Sequence, residues 1–362
     1  MPMTLLLAAR ADEFRAALRE WFLRERRQMP WRRERSVYRT VVSEFMLQQT
    51  QVDTVIPYFE NWIQKWSGFD ALAQADESEV LRAWEGLGYY SRAKNLLGVA
   101  KRIVAEKHIP QSVEEWRDFK GIGAYTAAAI ASISQGIPAA VVDGNVVRIL
   151  ARLSGNENVF RDSASAATAF AGLADALLDS ENPGDHNEAM MELGALICTK
   201  HSPKCEICPA ARFCRARERG IETLLPRFLP KTTKKVEVVR LWCRIGDEIL
   251  LVRNTAGTRR LKNLCEFPRA EDFSPFPKAS AKWTQIFEGR RGIANEAITE
   301  RFLHVPEKSV ARLEKSFSGI QSEIFRVKIS ESEKLTLSGP HRKWLPLLLK
   351  NPLDRNAGNA HH

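Results

Sequence analysis

Four of the six cysteines lie between Cys198 and Cys214 with the spacing Cys-x6-Cys-x2-Cys-x5-Cys, while Cys243 and Cys265 stand far from them. Four thiolates on one short loop can wrap a single metal centre. Zinc also accepts four sulfurs, although its sites more often pair two C-x2-C knuckles across a longer gap. Spacing alone leaves both metals open. Lys200, Lys204, Arg212, Arg215 and Arg217 surround the cysteines. A loop made rigid by a metal would present them to phosphates; a solvated basic face is the plainer reading.

Two carboxylates stand out. Glu44 is set among Val41, Val42, Phe45 and Met46. On a helix this places a carboxyl at or near a buried face, where it resists ionisation and suits a proton donor, unless it turns outward or pairs with an arginine. Asp143 follows Val141-Val142 and precedes Gly144-Asn145, so an apolar run delivers it to a helix start, where capping is its routine duty. Gly121 and Gly123, separated by Ile122, sit between two helical stretches. Glycine permits a tight turn with positive φ, and the amides there, with the following helix N-terminus, make a seat for phosphate.

These residues need a scaffold, and the chain supplies one. Up to about residue 220, the stretches 12–27, 40–65, 77–85, 91–107, 124–135 and 164–180 carry apolar residues three and four apart, the helical period. Helices are expected to end at Met29-Pro30, Pro110, Gly136-Ile137-Pro138 and Asn182-Pro183-Gly184. Residues 226–235 (PRFLPKTTKK) hold two prolines and four basic residues with little to bury, and read as a linker. Beyond it the period becomes two. Val236–Ile245 and Glu248–Arg253 predict a hairpin around Gly246-Asp247, residues 322–329 predict another strand, and residues 294–303 predict a helix. The length of 362 residues fits two or three domains, and the net charge of +10 favours a polyanionic partner, either nucleic acid or an acidic membrane surface. No apolar stretch reaches the length of a membrane span, and Leu5–Ala9 is too short for the core of a signal peptide. A cytoplasmic protein is expected, and a reducing compartment favours metal binding over disulfides for the cysteine cluster.

Taken together, SEFMLQQTQV, GLGYYSRAKNL, GIGAYTAAAI, VVDGNVVRIL and NEAMMELGALICT resemble the helix–hairpin–helix DNA glycosylases that place an Asp after the hairpin and an iron–sulfur loop after the last helix. Within that superfamily the segments are most similar to the adenine-removing branch, which acts opposite 8-oxoguanine. The resemblance covers about residues 14–217, with a weaker continuation to about 350. It implies a mainly α N-terminal helix–hairpin–helix glycosylase fold over 1–225, a linker at 226–235, a smaller C-terminal α/β Nudix-like lesion-recognition domain over 236–350, and a tail at 351–362. It also implies one 4Fe–4S cluster on Cys198, Cys205, Cys208 and Cys214. The expected partner is double-stranded DNA containing adenine opposite 8-oxoguanine or guanine, bound by a monomer with no membrane involvement.

The resemblance also assigns roles. Glu44 becomes the general acid that protonates adenine, and Asp143 the ionised carboxylate beneath the oxocarbenium-like sugar. The two would need opposite environments, one dry and one hydrogen-bonded. Tyr125 and Asn145 order the site; Trp31, Arg32 and Glu188 form the adenine pocket, with Glu188 accepting from the exocyclic amine; Gln49 and Tyr89 insert into the DNA stack; Gly121 and Gly123 hold phosphate. Lyase relatives carry a lysine where this chain has Tyr125, and Val147 does not replace it, so simple hydrolysis is expected. The C-terminal region lacks a Nudix box, so nucleotide hydrolysis there is not expected. It departs from the family in Phe317-Ser318-Gly319, where the family often has Phe-Ser-His at a loop that touches the lesion, so that Ser318 survives and the His is missing, and in Arg259-Arg260-Leu261-Lys262-Asn263 in place of Trp-Gly-Gly. Arg259 and Arg260 there would add backbone affinity. Two other readings compete: an endonuclease III-like glycosylase/lyase for oxidised pyrimidines, and a non-catalytic iron–sulfur DNA-binding protein.

Overall fold

The computed structural model describes residues 9–230, 232–255, 264–277, 281–293, 295–319 and 322–354. Arg259 and Arg260 lie outside them. The chain divides into two units, one comprising 1–80 and 92–230, the other 81–91 and 231–362. No described helix is long and apolar enough to cross a membrane.

The first unit is helical. Its helices are α1 (Ala11–Glu25), α2 (Pro30–Arg33), α3 (Val37–Leu47), α4 (Val52–Lys65) and α5 (Phe69–Ala73), then α6 (Glu77–Ala83) and α7 (Ser91–Glu106), which both reach into the 81–91 segment. After them come α8 (Val113–Arg117), α9 (Ala124–Gln135), α10 (Gly144–Ser154), α11 (Ser163–Leu177), α12 (Pro183–Leu196) and α13 (Arg215–Arg219). The run read as one helix over 40–65 is broken at 48–51, because Gln49 takes a left-handed backbone at φ 58°. The core gathers Phe14, Leu18 and Phe22 of α1 with Leu150 of α10 and Leu193 of α12. Each large apolar side chain fully buried there contributes about 1.5–3 kcal/mol. Helices α9, α10 and α12, which bear part of the candidate site, contribute Ala129, Val147 and Ala189 to this core.

The stretch read as a linker is partly structured. Arg227–Phe228 forms a strand, β2, that pairs in parallel with β1 (Val159–Phe160), and Leu225 beside it is buried in the helical core. Those two contacts fix a segment whose composition has little of its own to bury.

The second unit is a mixed sheet with helices on it. Its strands are β3 (Lys234–Ile245), β4 (Glu248–Asn254), β5 (Cys265–Glu266), β6 (Gln285–Ile293), β7 (Glu296–Val305) and β8 (Ser322–Lys328), in the order β5-β4-β3-β7-β6 with β8 also on β4. The β3–β4 hairpin turns at Gly246 with φ 57°, as its sequence predicts. Alternation is clean. Trp242, Ile249 and Leu251 pack in one cluster with Leu345 of α15 (Gly339–Leu348), and Leu241, Cys243 and Leu250 pack in another with Val310 of α14 (Glu307–Lys315). Of residues 294–303, expected to be helical, 296–303 instead belong to β7, which pairs in parallel with β3 and antiparallel with β6. The inward face of β7 is Ile298, Glu300 and Phe302, all buried. Glu300 is held there by Arg240, Arg291 and His341. A charged residue at the middle inward position hides the period of two and leaves Ile298 and Phe302 four apart, a helical spacing.

Candidate active site and cysteine loop

Helix α3 begins at Ser36, whose hydroxyl accepts from the Arg39 amide, and it is buried from Thr40 through Met46. Glu44 therefore has no solvent face to turn to. Burial pushes its carboxyl up to about 7; the Tyr125 hydroxyl beside it pulls the value down, and the charges of Glu188 and Asp143 push it up. Tyr125, from the start of α9, stays a neutral phenol, raised by burial and by the same two carboxyls of Glu44 and Asp143. Its hydroxyl also lies 3.2 Å from Met191 Sδ.

Asp143 is the N-cap of α10: Oδ1 accepts from the Val146 amide at 2.7 Å and Oδ2 from Asn145 Nδ2 at 3.0 Å. Burial raises its carboxyl, and the Val146 and Asn145 donors with the Arg148 charge oppose the rise, leaving the group above the ordinary aspartate value. The contrast expected between a dry and a hydrogen-bonded carboxyl is present, but narrower, because Asp143 is also partly enclosed. Asn145 cannot choose its orientation freely. Its Oδ1 accepts from Arg148 Nη2 at 2.9 Å, and arginine has only donors. Arg148 in turn donates to the carbonyls of Cys198 and Gly194. A Cβ on Gly194 would come within 2.5 Å of Asn145 Cβ, so glycine makes room for this arrangement.

One cavity of about 230 Å³ is lined by Trp31, Arg32, Glu44, Tyr125, Asp143, Asn145 and Glu188, among others. Seven residues singled out in sequence thus meet at one place. Trp31 packs edge-on against Phe59 with ring centroids 5.3 Å apart. Glu188 lies inside α12 and does not cap it. Its two oxygens take the Arg32 and Arg35 guanidinia, and Arg32 also reaches Glu192 at 3.1 Å. Arg27 completes the ladder on Glu192 at 2.8 Å, and Arg35 also reaches Asp185 at 2.7 Å. Arg32 therefore spends its guanidinium on carboxylates and on the Arg27 carbonyl. Sequence reading missed Arg27, Arg35, Asp185 and Glu192. The signal was available: Asp185, Glu188 and Glu192 fall three and four apart on one helical face, opposite a run of arginines.

The two glycines of the hairpin differ. Gly121 has φ 91°, and a Cβ there would meet Asn95 Nδ2 at 2.5 Å. Gly123 is the extended N-cap of α9, makes no side-chain cap bond, and faces open space. Only the first is demanded by the protein's own packing. Gln49 and Tyr89 share a feature that sequence did not show: both hold left-handed backbones, at φ 58° and 45°. Such a conformation costs a residue with a side chain about 1–2 kcal/mol, and strain of this kind concentrates at functional positions. Tyr89 belongs to the 81–91 segment and is exposed. Ser318 is exposed in the second unit, with its amide on the Asp272 carbonyl at 2.8 Å. At Gly319 a Cβ would lie 2.5 Å from both the Phe317 ring and the Ser322 hydroxyl, so this loop has closed over the place a larger residue would need.

The four cysteines of the loop form no disulfide and line one small cavity with Arg152. Among the described residues no group of three His, Cys, Asp or Glu closes on a single ion. Burial pushes Cys208 up to about 12, and the neighbouring thiols add to the rise. A bound cationic centre reverses that preference, so the donor set suits a group that takes four sulfurs. Arg152 is buried, donates to Cys198 Sγ at 3.2 Å and holds the carbonyls of Thr199 and Lys200. Of the basic residues expected to face phosphate, Arg212, Arg215 and Arg217 each pair with a glutamate.

Comparison with known proteins follows the same line. The HhH-GPD superfamily of base excision DNA repair proteins matches residues 42–169. A solved thermostable thymine-DNA glycosylase is 26% identical, with a TM-score of 0.53 over 58% of this chain and 98% of that one. Human adenine DNA glycosylase is 44% identical over 224 residues, 58% of this chain but only 40% of the human protein. The matched region thus spans about two fifths of the mammalian relatives. It spans more of the bacterial ones. Adenine DNA glycosylase of Mycolicibacterium smegmatis is 41% identical over 56% of this chain and 69% of its own length. That of Buchnera aphidicola subsp. Schizaphis graminum is 35% identical over 70% of this chain and 74% of its own length. The chain belongs to the adenine DNA glycosylase family.

Proposed function

We propose that this protein is a monofunctional DNA glycosylase that excises adenine mispaired with 8-oxoguanine or guanine. The observation that carries the reading is the single cavity in which a carboxyl titrating at about 7, Glu44, shares walls with Asp143, Trp31 and Glu188. A base within a duplex is out of reach, so it must be flipped into such a cavity. Glu44 gives its proton to a ring nitrogen of adenine, the C1′–N9 bond breaks, and the base leaves neutral. The sugar becomes cationic, Asp143 stabilises it, and water adds at C1′ and loses a proton to the Glu44 carboxylate, which leaves an abasic site and restores the acid. Glu188 oxygens keep lone pairs beyond those used by Arg32 and Arg35, enough to accept from an exocyclic amine. No lysine is among the described residues lining the cavity, which supports hydrolysis over Schiff-base chemistry.

Cys198, Cys205, Cys208 and Cys214 would hold a 4Fe–4S cluster. When bound, such a cluster supplies iron–sulfur bonds that staple the loop. Cys208→Ser is expected to remove iron and the visible charge-transfer absorbance together; zinc in the wild-type protein would refute the cluster.

The hairpin glycines separate packing from binding. Gly121→Ala should lower the melting temperature, since it forces a positive φ and a clash with Asn95. Gly123→Ala should lower melting much less, by no more than the loss of a glycine N-cap, and weaken duplex affinity, because its Cβ meets nothing of the protein and enters the space a phosphate would use. Equal affinity in the second variant would remove the phosphate seat. Single-turnover excision on duplexes pairing adenine with 8-oxoguanine, guanine and cytosine tests the whole reading. Release of adenine, fastest opposite 8-oxoguanine, is expected; release of oxidised pyrimidines with borohydride trapping of the protein would overturn it.

A further inference from the structure

We propose that Arg92 is a positioning residue that fastens the helix bearing Glu44 to the turn presenting Gln49. Arg92 stands on the first turn of α7 and is buried. Its Nη1 donates to the carbonyls of Phe45 and Met46, both at 2.9 Å, and of Gln48 at 2.5 Å; its Nη2 lies 3.2 Å from Thr50 Oγ1. The last carbonyls of a helix lack amide partners. Helix α3 ends at Leu47, whose carbonyl takes the Thr50 amide; Phe45 and Met46 depend on Arg92. A cation at a helix C-terminus also opposes the negative end of its dipole.

The same guanidinium bonds residues 48 and 50, on either side of Gln49. It thereby brackets the one residue of this turn whose backbone is left-handed. The side chain of Gln48 has a separate tie, to Thr126 Oγ1 at 3.3 Å, but that bond acts through a flexible side chain and does not fix the backbone of Gln49. The planar fork joins two points, with the three carbonyls sharing Nη1 and Thr50 on Nη2, and arginine stays charged at every working pH. Glu44 lies one residue before the first clamped carbonyl, so one buried group sets both the acid-bearing helix end and the aim of Gln49. The link to excision rests on the function proposed above; the clamp itself does not.

The test replaces Arg92 by Lys in the full-length protein. The charge stays, but an ammonium has no second nitrogen to reach Thr50 while it serves the three carbonyls, so residues 48 and 50 are no longer tied to one planar group. Hydrogen exchange of residues 45–51, measured without DNA, is expected to quicken about tenfold, as for loss of one charge-assisted bond. Single-turnover adenine excision should fall by a similar factor, with little change in melting temperature. Adding Gln49→Asn to Arg92→Lys should recover much of the excision rate, because asparagine tolerates the left-handed region while keeping an amide. Unchanged exchange would overturn the proposal. So would faster exchange throughout the helical unit with a lower melting temperature and no rescue, which would make Arg92 a plain structural residue. A wild-type protein that excises nothing would sink the function but leave the exchange result to decide the clamp.

Discussion

Replacing Glu44 by Gln is expected to abolish adenine excision, stabilise the protein at alkaline pH and leave duplex binding near the wild-type value. General acid catalysis contributes about 10²–10⁴-fold, and Gln keeps the shape of the side chain while removing the proton. Burial dominates the rise of the Glu44 carboxyl to about 7. The wild-type rate should therefore hold below that value and fall about tenfold per pH unit above it, because the protonated form is the active one. Stability moves with the same titration. The folded carboxyl ionises at about 7 against an ordinary 4.5, so the native state binds more protons between those values. The contribution of Glu44 is fully present below pH 4.5 and is lost as pH rises through 7. The loss is about 3 kcal/mol by the linkage of shift to free energy. Gln carries no such penalty. The variant should melt higher than wild type at pH 8 and no higher at pH 4.5, with no excision at either pH. Thermal melts at the two pH values and single-turnover rates check this. Equal melting at both would mean the carboxyl is solvated; loss of duplex affinity would make Glu44 a binding residue.

Much of this site was legible in sequence because its residues sit on strong local patterns. Asp143 follows an apolar run and precedes Gly144-Asn145, which is a cap pattern whatever the fold. Glu44 lies inside a helix buried almost all round, so its environment did not depend on choosing the right face. The family resemblance then drew Trp31 and Glu188 to the same place, although 157 positions separate them. What sequence did not show depends on partners distant in the chain. Glu300 looks like a solvated residue until Arg240, Arg291 and His341 close around it, and that one buried charge turned a strand into an apparent helix. The ladder from Arg27 to Asp185 joins residues 150 or more positions apart. Its acidic half is periodic; its basic half is ordinary surface composition. The left-handed backbones of Gln49 and Tyr89 are invisible to propensity, since neither is glycine or asparagine.

Asp143→Asn is expected to stop excision for a reason separable from capping. Asparagine caps helices as well as aspartate does, so α10 keeps its start. In the proposed reaction, however, the developing sugar cation loses the carboxylate that stabilises it. Removing one preorganised electrostatic group from an active site typically costs about 10²–10³ in rate, and a full charge lies at or beyond the upper end. The hydrogen-bond directions add a second effect. Arg148 donates to Asn145 Oδ1, which forces Asn145 Nδ2 toward Asp143 Oδ2. An amide at 143 cannot satisfy both neighbours: if its oxygen accepts from the Val146 amide, its nitrogen meets another donor. Turning Asn145 over to relieve this sets its nitrogen against Arg148. The conflict should cost about 1–3 kcal/mol of stability, the range for a buried donor left unpaired. Asp143→Ser removes the charge and keeps a cap without introducing that second donor. Both variants should be inactive, and the serine protein should melt higher than the asparagine one. If the asparagine protein retained excision within about tenfold of wild type, well short of the expected electrostatic loss, Asp143 would be a helix cap and the cation would have to be stabilised elsewhere in the cavity.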